Sequence, residues 1–202
     1  MKRCAALFLS IFCVLTLAAC TGAPAWDGTA NALRPLEEAA QTYTLEEAKK
    51  EGCFVLKNGV VASGLDAFLL FLSRAEAGEP AFLRIVTYAA PDHGGHGLDL
   101  CAARGVSNAS LSVADLSFAE TLYTVSFYQD GSLVSRQYPH LITDDFSAPA
   151  LFPSLSGGTA YFLCDKKDAS FWEVLSGIPD PGGGTVSFYP IYVSYYNREV
   201  RL

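Results

Sequence analysis

Hydrophobic positions change their spacing several times along the chain, and each spacing predicts an element. Ala5 to Ala19 is almost wholly apolar, through Leu7, Phe8, Leu9, Ile11, Phe12, Val14, Leu15 and Leu17, behind the cationic start Met1-Lys2-Arg3. An apolar run of roughly 7–15 residues behind positive charge predicts a secretory signal. It is short for a bilayer-spanning helix, which needs about 20 residues. Thr21 to about Thr42 then shows no sustained period, apart from a short helical piece around Leu36-Glu37-Glu38-Ala39-Ala40. This stretch reads as a tether, and a flexible segment of about 22 residues typically reaches about 25 Å.

From residue 43 onward the pattern is that of a folded domain. Thr44-Leu45-Glu46-Glu47 is a capping-box sequence that opens a short helix, and Gly52 supplies its left-handed stop. Cys53 to Leu56 predicts a strand, Asn58-Gly59 a two-residue hairpin turn, and Val60-Val61 the return. Leu65, Phe68, Leu69 and Leu72 fall at i, i+3, i+4 and i+7 of a helix over Leu65 to Ala77, stopped by Gly78 and Pro80. Leu70 and Phe71 widen that stripe, which predicts burial on more than one side.

Strands are expected at Ala81 to Tyr88, Leu98 to Ala102, Thr121 to Gln129, Ser132 to Tyr138, Thr159 to Cys164 and Thr185 to Ser194, with Asp130-Gly131 as a second hairpin turn. Asp168 is placed to cap a short helix carrying Phe171, Trp172, Val174 and Leu175. Helices mixed with hairpin-linked strands predict an α+β fold, mainly antiparallel, with two or three short helices. The expected organisation is a signal peptide at 1–19, a tether at 20–42 and one α+β domain at 43–202, a normal size for a single core.

Composition sharpens this picture in two places. The chain is 50% hydrophobic, high for a soluble protein, and part of the excess lies in the leader. Its net charge of −7 becomes about −9 once Lys2 and Arg3 are removed with residues 1–19. An acidic chain without a basic, aromatic-interleaved patch is a poor partner for phosphate backbones, so no nucleic acid is expected.

The apolar run ends in Leu17-Ala18-Ala19-Cys20, which resembles the lipobox of bacterial lipoproteins. The resemblance implies a diacylglyceryl thioether on Cys20, cleavage before it, and an extracytoplasmic domain tethered to the cell membrane. Two acyl chains anchor stably where one is marginal. An ordinary signal peptide cut nearby, or an uncleaved anchor helix, are the competing readings. Tyr43 to Ala48, Gly52, Val55, Gly59, the apolar helix and Arg84-Ile85-Val86-Thr87-Tyr88 resemble the opening of an uncharacterised family of small lipoproteins from Gram-positive, spore-forming bacteria. Tyr161-Phe162-Leu163-Cys164 is similar to a later segment of that family, whereas Ala89 to Pro153 departs from it. The family has no assigned activity, so the likeness implies a location and a fold class and no chemistry.

Three candidate constellations stand out. Asp92, His93, His96 and Asp99 place two of the three histidines and two carboxylates within eight glycine-rich residues, a donor set suited to a divalent metal. His140, Asp144 and Asp145 can complete it only if the fold brings them there; the competing reading is a solvated polar loop. Tyr189, Tyr192 and Tyr195 lie on a strand that Pro190 marks as an edge or a bend, where tyrosines either form a binding platform for sugars or peptides or pack a sheet. Cys53, Cys101 and Cys164 remain after the leader, an odd number that allows one internal disulfide at most, and buried small apolar groups are their expected role.

No Gly-x-Ser-x-Gly elbow, phosphate-binding loop, Cys-x-x-Cys pair or dinucleotide fingerprint occurs in the sequence. That balance leans away from an enzyme and toward a binding or interaction module with a protein or small-molecule partner. A metal-binding protein centred on His93 and His96 is the alternative.

Overall fold

Caps and tight turns set the element boundaries. The computed structural model describes residues 33–88, 111–147, 155–176 and 186–197. Its first helix, α1 (Leu36–Thr42), is followed by α2 (Leu45–Lys50). Thr44 Oγ1 accepts the Glu47 N–H, while the Glu47 carboxylate accepts the Thr44 N–H at 2.9 Å, completing the capping box. Past the end of α2, Gly52 sits at φ +74, and the N–H groups of Gly52 and Cys53 donate back to Lys49 and Ala48. That is the Schellman arrangement, which satisfies carbonyls the helix leaves over.

Strands β1 (Phe54–Lys57) and β2 (Val60–Ser63) pair through Asn58 and Gly59, both at positive φ as a type I′ turn requires. Gly64 precedes α3 (Leu65–Glu76) at φ +73, and a Cβ there would lie 2.1 Å from the Cys53 carbonyl oxygen. Left-handed backbone and close approach both demand glycine at this point.

The six-stranded sheet adds β3 (Ala81–Tyr88), β4 (Leu111–Ala119), β5 (Leu122–Gln129) and β6 (Ser132–Tyr138), in the order β2-β1-β3-β4-β5-β6. All its pairs are antiparallel except β1–β3, where Phe54 lies opposite Ile85 in a parallel register. Pro139 separates β6 from β7 (His140–Ser147), which belongs to a second, antiparallel sheet with β8 (Leu155–Cys164) and β9 (Phe188–Asn197), in the order β7-β8-β9. A short helix, α4 (Phe171–Ser176), lies between β8 and β9 in sequence. The fold class is α+β with mostly antiparallel sheets.

Three apolar clusters stack through these layers. Ala39, Tyr43 and Ala48 of the α1–α2 segment pack on Val55, Val86 and Val113, on the outer face of the six-stranded sheet. Its inner face carries Phe54, Ile85, Leu116, Val125 and Phe127, covered by Phe68 and Phe71 of α3 and by Leu163, Tyr189 and Ile191 of the second sheet. The far face of that second sheet holds Phe146, Phe162, Cys164 and Val193 against Phe171 and Val174. Fully burying a Phe or Leu side chain contributes about 1.5–3 kcal/mol, so the central cluster dominates.

Several expectations are corrected here. Residues 33–42, assigned from sequence to the tether, are folded: Ala39 is fully buried and Leu33 and Leu36 pack beside it. β4 and β7 were not expected as strands, and β8 starts earlier than Thr159. The cap of α4 is Ser170 rather than Asp168, since Ser170 Oγ accepts the Glu173 N–H at 3.2 Å. Helix α3 presents Ala67, Phe68, Phe71 and Ala75 to the core, while Leu65 and Leu69 are 46% and 52% exposed. The buried face therefore runs through Ala67, Phe68, Phe71 and Ala75 and is turned away from Leu65 and Leu69.

The rotation of α3 is testable by urea denaturation. Phe71→Ala should cost about 3–5 kcal/mol through cavity formation, whereas Leu69→Ala should change stability by no more than about 0.5 kcal/mol. Equal losses would refute this orientation.

Candidate functional site

The outer face of the six-stranded sheet is where polar side chains converge, and its floor is set by register. Arg84 lies opposite Asp115 on β3 and β4, Asp115 opposite Ser126 on β5, and Ser126 opposite Ser135 on β6. The neighbouring row runs from Phe82 to Ser117, Thr124 and Gln137. Alternation along each strand places all of these on one face.

Arg84 anchors the covered half of that face. Only 4% exposed, it donates from Nε and Nη2 to the two carboxylate oxygens of Asp115 at 2.7 and 2.8 Å, and from Nη1 to the Arg34 carbonyl at 2.7 Å. Burial works against its charge, but the bidentate carboxylate more than offsets this and holds the guanidinium above its ordinary pKa. Beside it the Tyr43 ring lies 4.9 Å from the Arg34 guanidinium, and the Tyr43 hydroxyl donates to Glu51 and touches Cys53 Sγ at 3.4 Å. Burial pushes the Tyr43 phenol well above its usual range and the Cys53 thiol up to about 11. The Tyr88 hydroxyl donates to the Tyr43 carbonyl at 2.9 Å, and burial raises its own pKa to about 12. The two phenols and the thiol are neutral at physiological pH, and with the charged Arg84 they fasten the N-terminal helices to the sheet.

The uncovered half forms an open groove of about 470 Å³. Pro35, Leu36 and Glu37 at the start of α1 make one wall, and Phe82, Asp115, Ser117, Ser126, Tyr128 and Leu133 make the floor and the opposite rim. Ser126 Oγ lies 2.8 Å from Ser135 Oγ, and Ser117 Oγ donates to the Thr124 carbonyl at 3.5 Å. Such a surface can recognise a ligand through hydrogen bonds and ring contact. Sequence reasoning missed it because five elements contribute; its one trace was the recurrence of Ser117, Ser126 and Ser135 at outward positions.

The residues singled out from sequence lie elsewhere. Cys20, Asp92, His93, His96, Asp99 and Cys101 fall outside the described residues. Of the groups that were to complete a metal set, Asp144 accepts the Phe171 N–H at 2.6 Å and Asp145 accepts the Thr159 hydroxyl at 2.5 Å. Both carboxylates are engaged in holding β7 to β8 and α4. Among the described residues no three His, Cys, Asp or Glu side chains gather as metal ligands.

Tyr189, Tyr192 and Tyr195 do not form one surface. Tyr189 is 2% exposed and stacks on Phe127, Tyr192 packs among Phe54, Phe68 and Tyr161, and Tyr195 meets Phe146 edge-on on the other side of the second sheet. β9 is an edge strand, as Pro190 implied, and an irregularity in its register there turns Ile191 and Tyr192 to the same side. Cys53 and Cys164 are buried, unpaired, and separated by both sheets, so they do not bridge each other. Compared with protein-family models, curated proteins and solved structures, the chain gives no significant match.

Two outcomes follow from the polar network. Asp115→Ala leaves Arg84 buried without its partner and should cost about 3–5 kcal/mol in denaturant titrations, an effect that only a solvent-exposed Arg84 would escape. The Glu47 carboxyl is held down to about 2 by the Thr44 hydroxyl, then by Arg34. A depressed carboxylate contributes its full stability above its ordinary value of 4.5 and loses it as pH falls toward 2. Glu47→Gln should therefore flatten the acid limb of a stability–pH curve, and an unchanged limb would remove Glu47 from that account.

Proposed function

We propose that this protein is an extracytoplasmic binding module, held at a membrane by lipid on Cys20 and presenting the outer-face groove to a ligand or partner without catalysing a reaction. The observation that carries the reading is the leader: positive charge, a short apolar run and Leu17-Ala18-Ala19-Cys20 occur together in the right order. The fold adds a distance. Leu33, the first described residue and part of the outer cluster, stands thirteen residues after Cys20, and a chain of that length spans at most about 45 Å when fully extended. The globule would stay within reach of the bilayer surface, closer than a tether running to residue 42 would have allowed. Among the described residues no helix is long and apolar enough to cross a membrane.

The binding half of the proposal rests on the groove. It is open, its lining mixes serine hydroxyls with Phe82, Tyr128 and Leu133, and Cys53, in the cluster beneath the helices, is buried with its thiol pushed up to about 11. Recognition needs no more than such a surface, whereas nucleophilic chemistry needs an activated group.

Acyl labelling decides the anchor. Cells expressing the full chain should incorporate labelled fatty acid into the wild type and none into Cys20→Ser, and mass spectrometry of the mature amino terminus should show a diacylglyceryl cysteine. Equal labelling of the two proteins would overturn it.

A further inference from the structure

Exposed apolar side chains are not scattered evenly over this molecule. Six large ones are exposed among the described residues, and four of them, Val60, Leu65, Leu69 and Leu70, fall within eleven residues of sequence. They occupy the edge strand β2 and the solvent side of α3. A single exposed leucine is ordinary, whereas a group gathered on one element points to a surface that a partner covers.

The polar residues of the same helix select that partner. Asp66, Ser73 and Glu76 are exposed alongside the leucines, so α3 could not sink into lipid without carrying carboxylates with it. A protein surface that offers leucines at its centre and a cation at one end fits better, and α3 itself has that composition. Two α3 helices laid antiparallel, with a two-fold axis between Leu69 and Leu70, bring four leucines together. Asp66 then stands three and a half residues from the axis on one side and Arg74 four and a half on the other. At a rise of 1.5 Å per residue, Asp66 comes level with Arg74 of the second copy to within about 1.5 Å along the helix. Asp66 makes no ion pair among the described residues, and Arg74 has a long contact to Glu79 at 3.7 Å. Symmetry repeats the Asp66–Arg74 match at the other end, and the opposed helix dipoles favour it. A parallel pair would instead set Asp66 against Asp66.

We propose that α3 is the contact between two copies of this chain, packed as an antiparallel helix pair. One helix face is a small interface, so the pair forms at concentrations of about 100 μM and is dissociated in dilute solution. Because α3 covers the inner face of the six-stranded sheet and the groove lies on its outer face, pairing leaves the groove open. The inference goes beyond the binding-module reading and depends on neither the groove nor the anchor on Cys20.

Oxidative cross-linking of the purified full chain tests it, at about 100 μM in a polyoxyethylene detergent with micelles in excess, so that unrelated chains do not share one. Leu70→Cys places two thiols beside the axis, close enough to bridge. It should give a dimer linked through position 70, identified by mass spectrometry, while Leu133→Cys, exposed on the outer face, should give about tenfold less. In the Leu70→Cys chain, Asp66→Arg should lower the yield about tenfold, and adding Arg74→Asp should restore it. Leu70 and Leu133 are both exposed, so their comparison stays decisive even if a charge variant fails to fold. Absence of the dimer, equal yields from the two cysteine variants, or a yield in folded chains that ignores the charge exchange would overturn the proposal.

Discussion

Arg84 is the one buried charge among the described residues, and the arrangement of the outer face depends on how it is neutralised. A guanidinium out of water is tolerated only when its donors are matched. Here two go to a carboxylate on the neighbouring strand and one to a main-chain carbonyl that precedes α1. The second contact is what makes the pair more than a strand-to-strand clasp. It fixes the segment that enters α1 and so decides how far the helices extend over the sheet. The ring of Tyr43, the hydroxyl of Tyr88 and the capping box of α2 then fall into place around a point already set.

That limit divides the sheet's outer surface into a dry part and a wet part. Under the helices the sheet carries Val55, Val86 and Val113; beyond them serines, a threonine and a glutamine share the face with Phe82, Tyr128 and Leu133. Asp115 stands at the border and would place a charge in the groove were it not held by Arg84. The inner face has no such division, because α3 and the second sheet together cover it. Among the described residues, this part of the larger sheet is covered by neither a helix nor the second sheet.

The local devices of this fold could be read directly from residues, while its long-range choices could not. Asn58-Gly59, Asp130-Gly131, the Thr44–Glu47 box and the stops at Gly52 and Gly78 are each decided within a few residues, and all occur where the sequence placed them. β4 escaped notice because Asp115 interrupts its apolar pattern, and that carboxylate is acceptable there only because Arg84 arrives from thirty-one residues away. β7 was not expected as a strand for a similar reason: Asp144 and Asp145 find their partners on α4 and β8. For α3, apolar residues on nearly every side left the buried face undecided by periodicity, and in the fold it is Ala67, Phe68, Phe71 and Ala75 that face the core. The groove is the extreme case, since no two of its floor strands supply a recognisable motif by themselves.

The Arg84–Arg34 contact also has a mechanical side. If the chain is held at its amino end, as proposed, a pull on the globule passes through the segment that precedes α1, Leu33 and Arg34 included. The load then meets the carbonyl that Arg84 grips before it can peel α1 from the sheet. Because Arg84 is seated in a central strand, tension arriving there is spread across β3 and β4 rather than taken by a single turn of helix. The same link that positions the helices would serve as the point where the fold bears weight.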